Sequence, residues 1–330
     1  LGDFARAQEC YRAAHELDPG NVTMLTEWAT TSFERSWWAD ARLSAETLLG
    51  RTDAGLSVSG KRDWTVRLAH ALVASGDAAR AIELAKGVLE VAPDHRAGRE
   101  ALVAAHRVLG DSAAVLHHQR GLLGSMRNSQ ERFALLRDMA ATCRSGNDGE
   151  GALAALFQAL EISPDDTATL HDALDLLTAS KQWKKAVQVL QRLSARATGE
   201  VRTKYALAAA NILHYELASS DEAVALYEQV LDENPDDLKT FEKVDKILTA
   251  KRAWKDEARA YRRMIKRLGP TAATEKNSTL LALWKGLGEI YRTRLKDLDA
   301  AAAAFEVYAS LEPSDPTAAA AASRSLSRVR

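Results

Sequence analysis

One pattern recurs from end to end of this 330-residue chain: an apolar helical face, a polar elbow, then a second apolar helical face. It is clearest from Trp284 to Pro313. Trp284, Leu287, Gly288 and Tyr291 recur at three- and four-residue steps, which places them on one side of a helix. A polar elbow follows at Lys296-Asp297-Leu298-Asp299. A second helix then carries Ala301, Phe305 and Tyr308 inward, and Pro313 ends it, because proline cannot continue a helix. Helix-ending prolines stand at Pro19, Pro93, Pro164, Pro235 and Pro313, and the middle three are 71 residues apart. The pairs between them lack that proline, and several carry a tryptophan at the turn: Trp38, Trp183 and Trp254. Leu177-Thr178-Ala179 and Trp183-Lys184 return as Leu248-Thr249-Ala250 and Trp254-Lys255, again 71 residues later.

These residues resemble the tetratricopeptide repeat (TPR), a helix–turn–helix unit of about 34 residues with W-x2-L-G-x2-Y, then A-x3-F, then P. The stretch from Trp284 matches in order and residue type, with one extra residue in the elbow. The resemblance, to a bacterial-type array, implies an all-α fold: a right-handed α-solenoid of about eight to nine repeats organised as double repeats of roughly 71 residues. Residues 1–330 are read as one array. Residues 1–21 form the second helix of a truncated repeat, 22–313 eight repeats, and 317–330 a capping helix or the start of a further repeat. Because the chain opens inside a repeat, it is expected to be a fragment of a longer protein, with an end at Leu1 that frays. The pair 238–268 departs from the pattern, with Asp245 and Glu257 where small residues are usual, so its helices are expected to cross less closely. Linkers after the prolines are short and acidic, as in Asp165-Asp166 and Asp236-Asp237, and should cap the next helix. Longer linkers are expected at 50–61, 124–130, 194–200 and 269–279.

Composition agrees with helix throughout: proline and glycine are sparse, at 7 and 18, and valine-rich strand-like alternation is missing. A formal net charge of −1 gives no global field for nucleic acid or an anionic membrane. No apolar run approaches the roughly 20 residues that span a bilayer. Cys10 and Cys143 lie in distant repeats, so a mutual disulfide is not expected. A cytoplasmic setting is expected, with a periplasmic one left open by the missing native N-terminus.

In this family the first helices line a concave groove that holds a peptide or a helix of another protein. The register places Arg137, Arg144, His171, Asp175, Lys204, Asn211, Lys239, Glu242, Lys246, Lys285, Glu289 and Arg292 on that face. Cations outnumber anions there, which suggests a mildly basic groove for an acidic segment; the alternative is an ordinary solvated helix face. His117-His118 point apart on a helix and find no further ligand at metal spacing, so no metal is expected. Cys143 falls at a packing position, as a structural thiol. No phosphate loop, dinucleotide glycine pattern or nucleophile elbow is found. The chain therefore reads as a non-catalytic protein–protein interaction scaffold without a cofactor. A regulatory or sensor arm of a larger enzyme is the alternative. A nucleic-acid-binding solenoid fits less well, since the aromatics sit at packing positions.

Overall fold

The computed structural model describes residues 2–269 and 277–312. Pro313, the expected helix at 317–330 and most of the linker 269–279 lie outside the described residues. Among the described residues the chain is helical, with no strand. A helix α1 (Gly2–Leu17) is followed by successive hairpins. They are α2 (Val22–Glu34) with α3 (Trp38–Gly50), α4 (Val58–Ala74) with α5 (Ala78–Val91), and α6 (Arg96–Val108) with α7 (Ser112–Ser125). Next come α8 (Ser129–Ser145) with α9 (Gly149–Ile162), α10 (Thr167–Ala179) with α11 (Trp183–Arg196), and α12 (Gly199–Tyr215) with α13 (Ser220–Glu233). Last are α14 (Leu238–Ala250) with α15 (Trp254–Leu268), and α16 (Asn277–Glu289) with α17 (Leu298–Leu311). A π-helical turn, Ile290–Leu295, extends α16.

Every hairpin turns at one residue with positive φ: Ser36, Gly76, Gly110, Asn147, Lys181, Ala218, Arg252 and Lys296. Such a left-handed residue closes a helix by returning later N–H groups to its last carbonyls. Only Gly76 and Gly110 adopt it without a Cβ penalty. In six elbows the first N–H beyond the turn bonds the carbonyl five residues back, as in Asp148 N to Cys143 O (2.8 Å) and Gln182 N to Leu177 O (2.8 Å). In the other two the step is six: Ser219 N to Leu213 O and Asp297 N to Tyr291 O. The extra residue noted after Tyr291 is thus absorbed by the π-helical turn, the usual way a helix takes in one residue without changing its axis.

The second helix of most hairpins has a small residue at its fourth position: Ala41, Ala81, Ala152, Ala186, Ala223 and Ala301, all buried. Small side chains there let two backbones approach, and larger neighbours such as Tyr227 and Phe305 fill the space beside them. In the pair α14–α15 this position is Glu257, opposite Asp245, and the two helices make fewer close approaches than α2 and α3, which are of similar length. Two first helices that follow prolines, α10 and α14, are capped by the aspartates of their acidic linkers, whereas α2 and α6 are capped by Asn21 and His95. Asp166 accepts from Thr169 N (2.8 Å) and Thr169 Oγ1 (2.5 Å), and Asp237 accepts from Thr240 N (3.2 Å) and Thr240 Oγ1 (2.6 Å). The 50–61 linker is shorter than expected. Ser57 accepts from Gly60 N and starts α4 at Val58, ahead of the apolar periodicity that marks the helix in sequence.

The chain divides into two compact units, Leu1–Ala173 and Leu174–Arg330, with the division inside α10. The first is cored by residues including Leu25, Trp28, Leu48, Leu72, Ala85 and Leu102. The second is cored by Leu190, Ala210, Tyr227, Phe241, Val244 and Met264. In the first unit α1 is tied down by a buried acid of α3. Asp40, 2% exposed, accepts from Arg12 Nε (2.7 Å) and Gln8 Nε2 (2.9 Å).

Candidate protein-binding face

The residues expected to line a binding face sit on the first helices of the hairpins, and the structure treats them unequally. In the first unit Arg137 and Arg144 of α8 converge on one carboxylate from the next hairpin, Asp172 of α10. The distances are 3.2 Å from Arg137 Nη2 to Asp172 Oδ2 and 3.4 Å from Arg144 Nη1 to Asp172 Oδ1. One negative charge therefore serves two guanidinium groups. His171, beside it on α10, is exposed.

In the second unit Lys204 turns back to Glu200 on its own helix (2.8 Å). Arg292 in the π-helical turn closes on Glu289 through two hydrogen bonds of 2.8 and 2.7 Å. Asn211 is spoken for from inside: its Oδ1 accepts from Tyr227 Oη (2.8 Å) and from Lys243 Nζ (2.9 Å). Burial pushes the Tyr227 hydroxyl up to about 12, so it remains a neutral donor to Asn211 at ordinary pH. The remaining residues of the set are different. Lys239, Glu242 and Lys246 are exposed along α14 and make no ion pair among the described residues. Exposed Lys285 of α16 holds its ammonium 5.7 Å from the centre of the Tyr308 ring.

Three partners were not recognised from sequence. Asp172 and Lys243 each reach a neighbouring hairpin, and their roles depend on how two hairpins stack. The third is Arg67 of α4, whose guanidinium lies 4.6 Å from the Trp64 ring and 5.6 Å from Phe33 of α2. Such stacking is worth about 0.5–1 kcal/mol at an exposed site. Its only advance signal is an aromatic three residues before an arginine on one helix, which is common.

The His106 and His118 rings stack at 5.7 Å, and burial together with His117 brings the His118 imidazole down to about 4, so it is neutral at ordinary pH. Among the described residues no group of three or more His, Cys, Asp or Glu could hold a metal ion. Cys143 is buried, and burial raises its thiol. Clefts lie between the second helices α13 and α15 of the second unit. One of about 410 Å³ between α13 and α15 mixes acids and bases, including Asp221, Asp256, Arg259 and Arg263. No helix among the described residues is long and apolar enough to cross a membrane.

No family model matches the sequence, and no curated protein matches it. Solved structures do match it. A chain from the structure of Naa15/Naa10 bound to HypK-THB is 18% identical with a TM-score of 0.51, over 90% of this chain and 43% of that one. This protein thus spans less than half the length of that neighbour. The positions of the W-x2-L-G-x2-Y and A-x3-F pattern are occupied here by Trp284, Leu287, Gly288, Tyr291, Ala301 and Phe305, and these pack together within one hairpin and against α15. The fold is that of a tetratricopeptide repeat array. Structures described as TPR proteins are similar at lower scores. The C-terminal part of a TPR repeat-containing protein from Cytophaga hutchinsonii is 14% identical over 78% of this chain and 98% of that one, with a TM-score of 0.32. YrrB, described as a TPR protein with an unusual peptide-binding site, is 16% identical over 56% of this chain and 93% of that one, with a TM-score of 0.35.

The TPR register explains why Gly288 is glycine. A Cβ there would come within 2.7 Å of the Phe305 ring, so at this position the first helix of the last hairpin leaves room for a large side chain of the second.

Proposed function

We propose that this TPR array is a non-catalytic scaffold that binds an acidic segment of a partner protein along the first helices of its second unit. The observation that carries this reading is the contrast among the cations. Arg137, Arg144, Lys204 and Arg292 are matched by acids of the chain itself, whereas Lys239 and Lys246 stand exposed on α14 without an ion pair among the described residues. Lys285 adds a third exposed ammonium on α16. Glu242 between the two lysines of α14 limits the net charge, so the attraction is local. Exposed cations of this kind steer encounter and fix register more than they supply raw affinity.

The test is titration of the protein with synthetic peptides of acidic, neutral and basic composition, followed by fluorescence anisotropy at two salt concentrations. Acidic peptides should bind, and binding should weaken with salt as the Debye length shrinks. Reversing Lys239, Lys246 and Lys285 to glutamate should lower that affinity by about tenfold or more, corresponding to about 1.4 kcal/mol. Equal binding of acidic and basic peptides, or an unchanged affinity in the triple variant, would remove the electrostatic reading.

A further inference from the structure

The hairpin α14–α15 carries an anomaly that the binding face does not use. At its crossing, where other hairpins place an alanine, Glu257 is 6% exposed and faces Asp245. One oxygen of Glu257 is satisfied: Oε1 accepts from Thr249 Oγ1 at 2.9 Å. The opposite oxygen, Oε2, is buried with no donor among the described residues, and so is Asp245 Oδ1. Two carboxyl groups meet, each with an unsatisfied acceptor, and a carboxylate cannot donate to another carboxylate. Leaving a buried charged acceptor unmet costs more than leaving a neutral one.

We infer that Asp245 and Glu257 hold one proton between them, and that this shared proton latches α14 to α15. A proton on Glu257 Oε2 turns that oxygen into a donor to Asp245 Oδ1, so a single proton satisfies both unmatched atoms. The surroundings favour that state. Burial raises Glu257 first, and the neighbouring charge of Asp245 raises it further, while Thr249 and Arg294 pull it back. The titratable and charged groups that face the pair are Tyr261 from α15, whose hydroxyl hydrogen-bonds Asp245, and Arg294 from the π-helical turn. Tyr261 is raised by burial and by both carboxyls, and is therefore a neutral phenol. Arg294 is partly occupied elsewhere, 4.7 Å from the Trp254 ring. Its charge supports one carboxylate in the cluster rather than two.

Loss of the proton leaves two anions at the crossing of the hairpin, and separating α14 from α15 relieves their repulsion. The sign of the pH effect follows. Glu257 binds its proton more tightly in the folded chain than in the unfolded one, so stability is complete at and below the ordinary carboxyl range. It falls as pH rises from there toward the raised value of Glu257, and changes no further above it. One proton limits the fall to about tenfold in the folding equilibrium constant per pH unit. The helix that loosens, α14, is the one that presents Lys239 and Lys246, but the inference does not depend on what they bind.

The experiment compares urea unfolding of the wild type and Glu257→Gln from pH 4.5 to pH 9, read by hydrogen exchange in α14 and α15. Glutamine keeps the acceptor for Thr249 and supplies a fixed donor to Asp245. It should remove the fall in stability with pH that Glu257 causes, so the two proteins diverge as pH rises and the variant is more stable than the wild type at high pH. Equal slopes in the two proteins, or a variant less stable at every pH, would overturn the inference. A carbon-13 titration of the Glu257 carboxyl in the wild type gives a second reading that requires no variant: a midpoint in the ordinary carboxyl range would overturn it, and one above that range supports it. Sodium or calcium that stabilises the wild type at high pH, but not Glu257→Gln, would assign the unmatched oxygens to a cation instead and overturn the shared proton.

Discussion

Arg267→Ala is expected to destabilise the second unit by about 3–5 kcal/mol, the range for removing one member of a buried ion pair. Arg267 and Glu228 are each 10% exposed, and Arg267 Nη2 lies 2.5 Å from Glu228 Oε2. The same guanidinium reaches Asp232 Oδ1 at 2.6 Å and donates to the Glu228 carbonyl at 3.1 Å. One side chain of α15 thus gathers three acceptors from α13 and joins two adjacent hairpins. Without it, Glu228 is a buried carboxylate whose nearest remaining cation is Arg263, at 3.8 Å. That residual partner argues for the lower half of the range. The loss is one of stranding a charge, not of the pair's net worth, so Arg267→Met combined with Glu228→Met should recover most of it. Urea unfolding followed by hydrogen exchange in α13 and α15 measures both. A double variant no more stable than Arg267→Ala would mean that packing, not charge, is what Arg267 supplies.

Tyr227→Ala should cost a similar amount, about 3–5 kcal/mol, for a different reason. Tyr227 is 0% exposed and fills the space between α12, α13 and α14, so truncation opens a cavity that a stack of short helices cannot easily collapse. Its hydroxyl contributes separately, through the bond to Asn211. Tyr227→Phe isolates that part and should cost only about 0.5–1.5 kcal/mol, because Lys243 still donates to Asn211. In a stack of hairpins each core touches only its neighbours, so the effect of either variant should fade within one hairpin. Hydrogen exchange resolved by helix would show this. Protection lost uniformly across α1–α9 as well would contradict a nearest-neighbour architecture.

The hairpins were legible because each is written locally. Trp284, Leu287 and Gly288 share a face within seven residues, and Asp166 and Asp237 cap helices that begin immediately after them. Even the extra residue beyond Tyr291 was visible, though not that a π-helical turn would absorb it. What was not legible depends on the stacking of one hairpin on the next. Arg137 and Arg144 looked like free cations because their partner, Asp172, is up to 35 residues away in sequence. Asn211 looked like a ligand-binding amide until Tyr227 and Lys243 were seen to hold it. The start of α4 was missed because Ser57 caps seven residues before Trp64, the first buried apolar position of the helix. The division inside α10 has no mark in the sequence at all. Asp245 and Glu257 were noticed as exceptions, but only their meeting across the hairpin shows two acceptors without a donor.

The side-chain ion pairs that join different hairpins span 28 to 39 residues, about one hairpin step, from Arg12 with Asp40 to Arg267 with Glu228. Such stitches carry no information about position along the chain beyond the next hairpin. Excising one whole period, such as the 71 residues that separate Pro164 from Pro235, would put Lys243 in the place of Asp172, against Arg137 and Arg144, and so break that stitch. Length in this protein is therefore restrained by the charge on each seam as well as by the period of its helices.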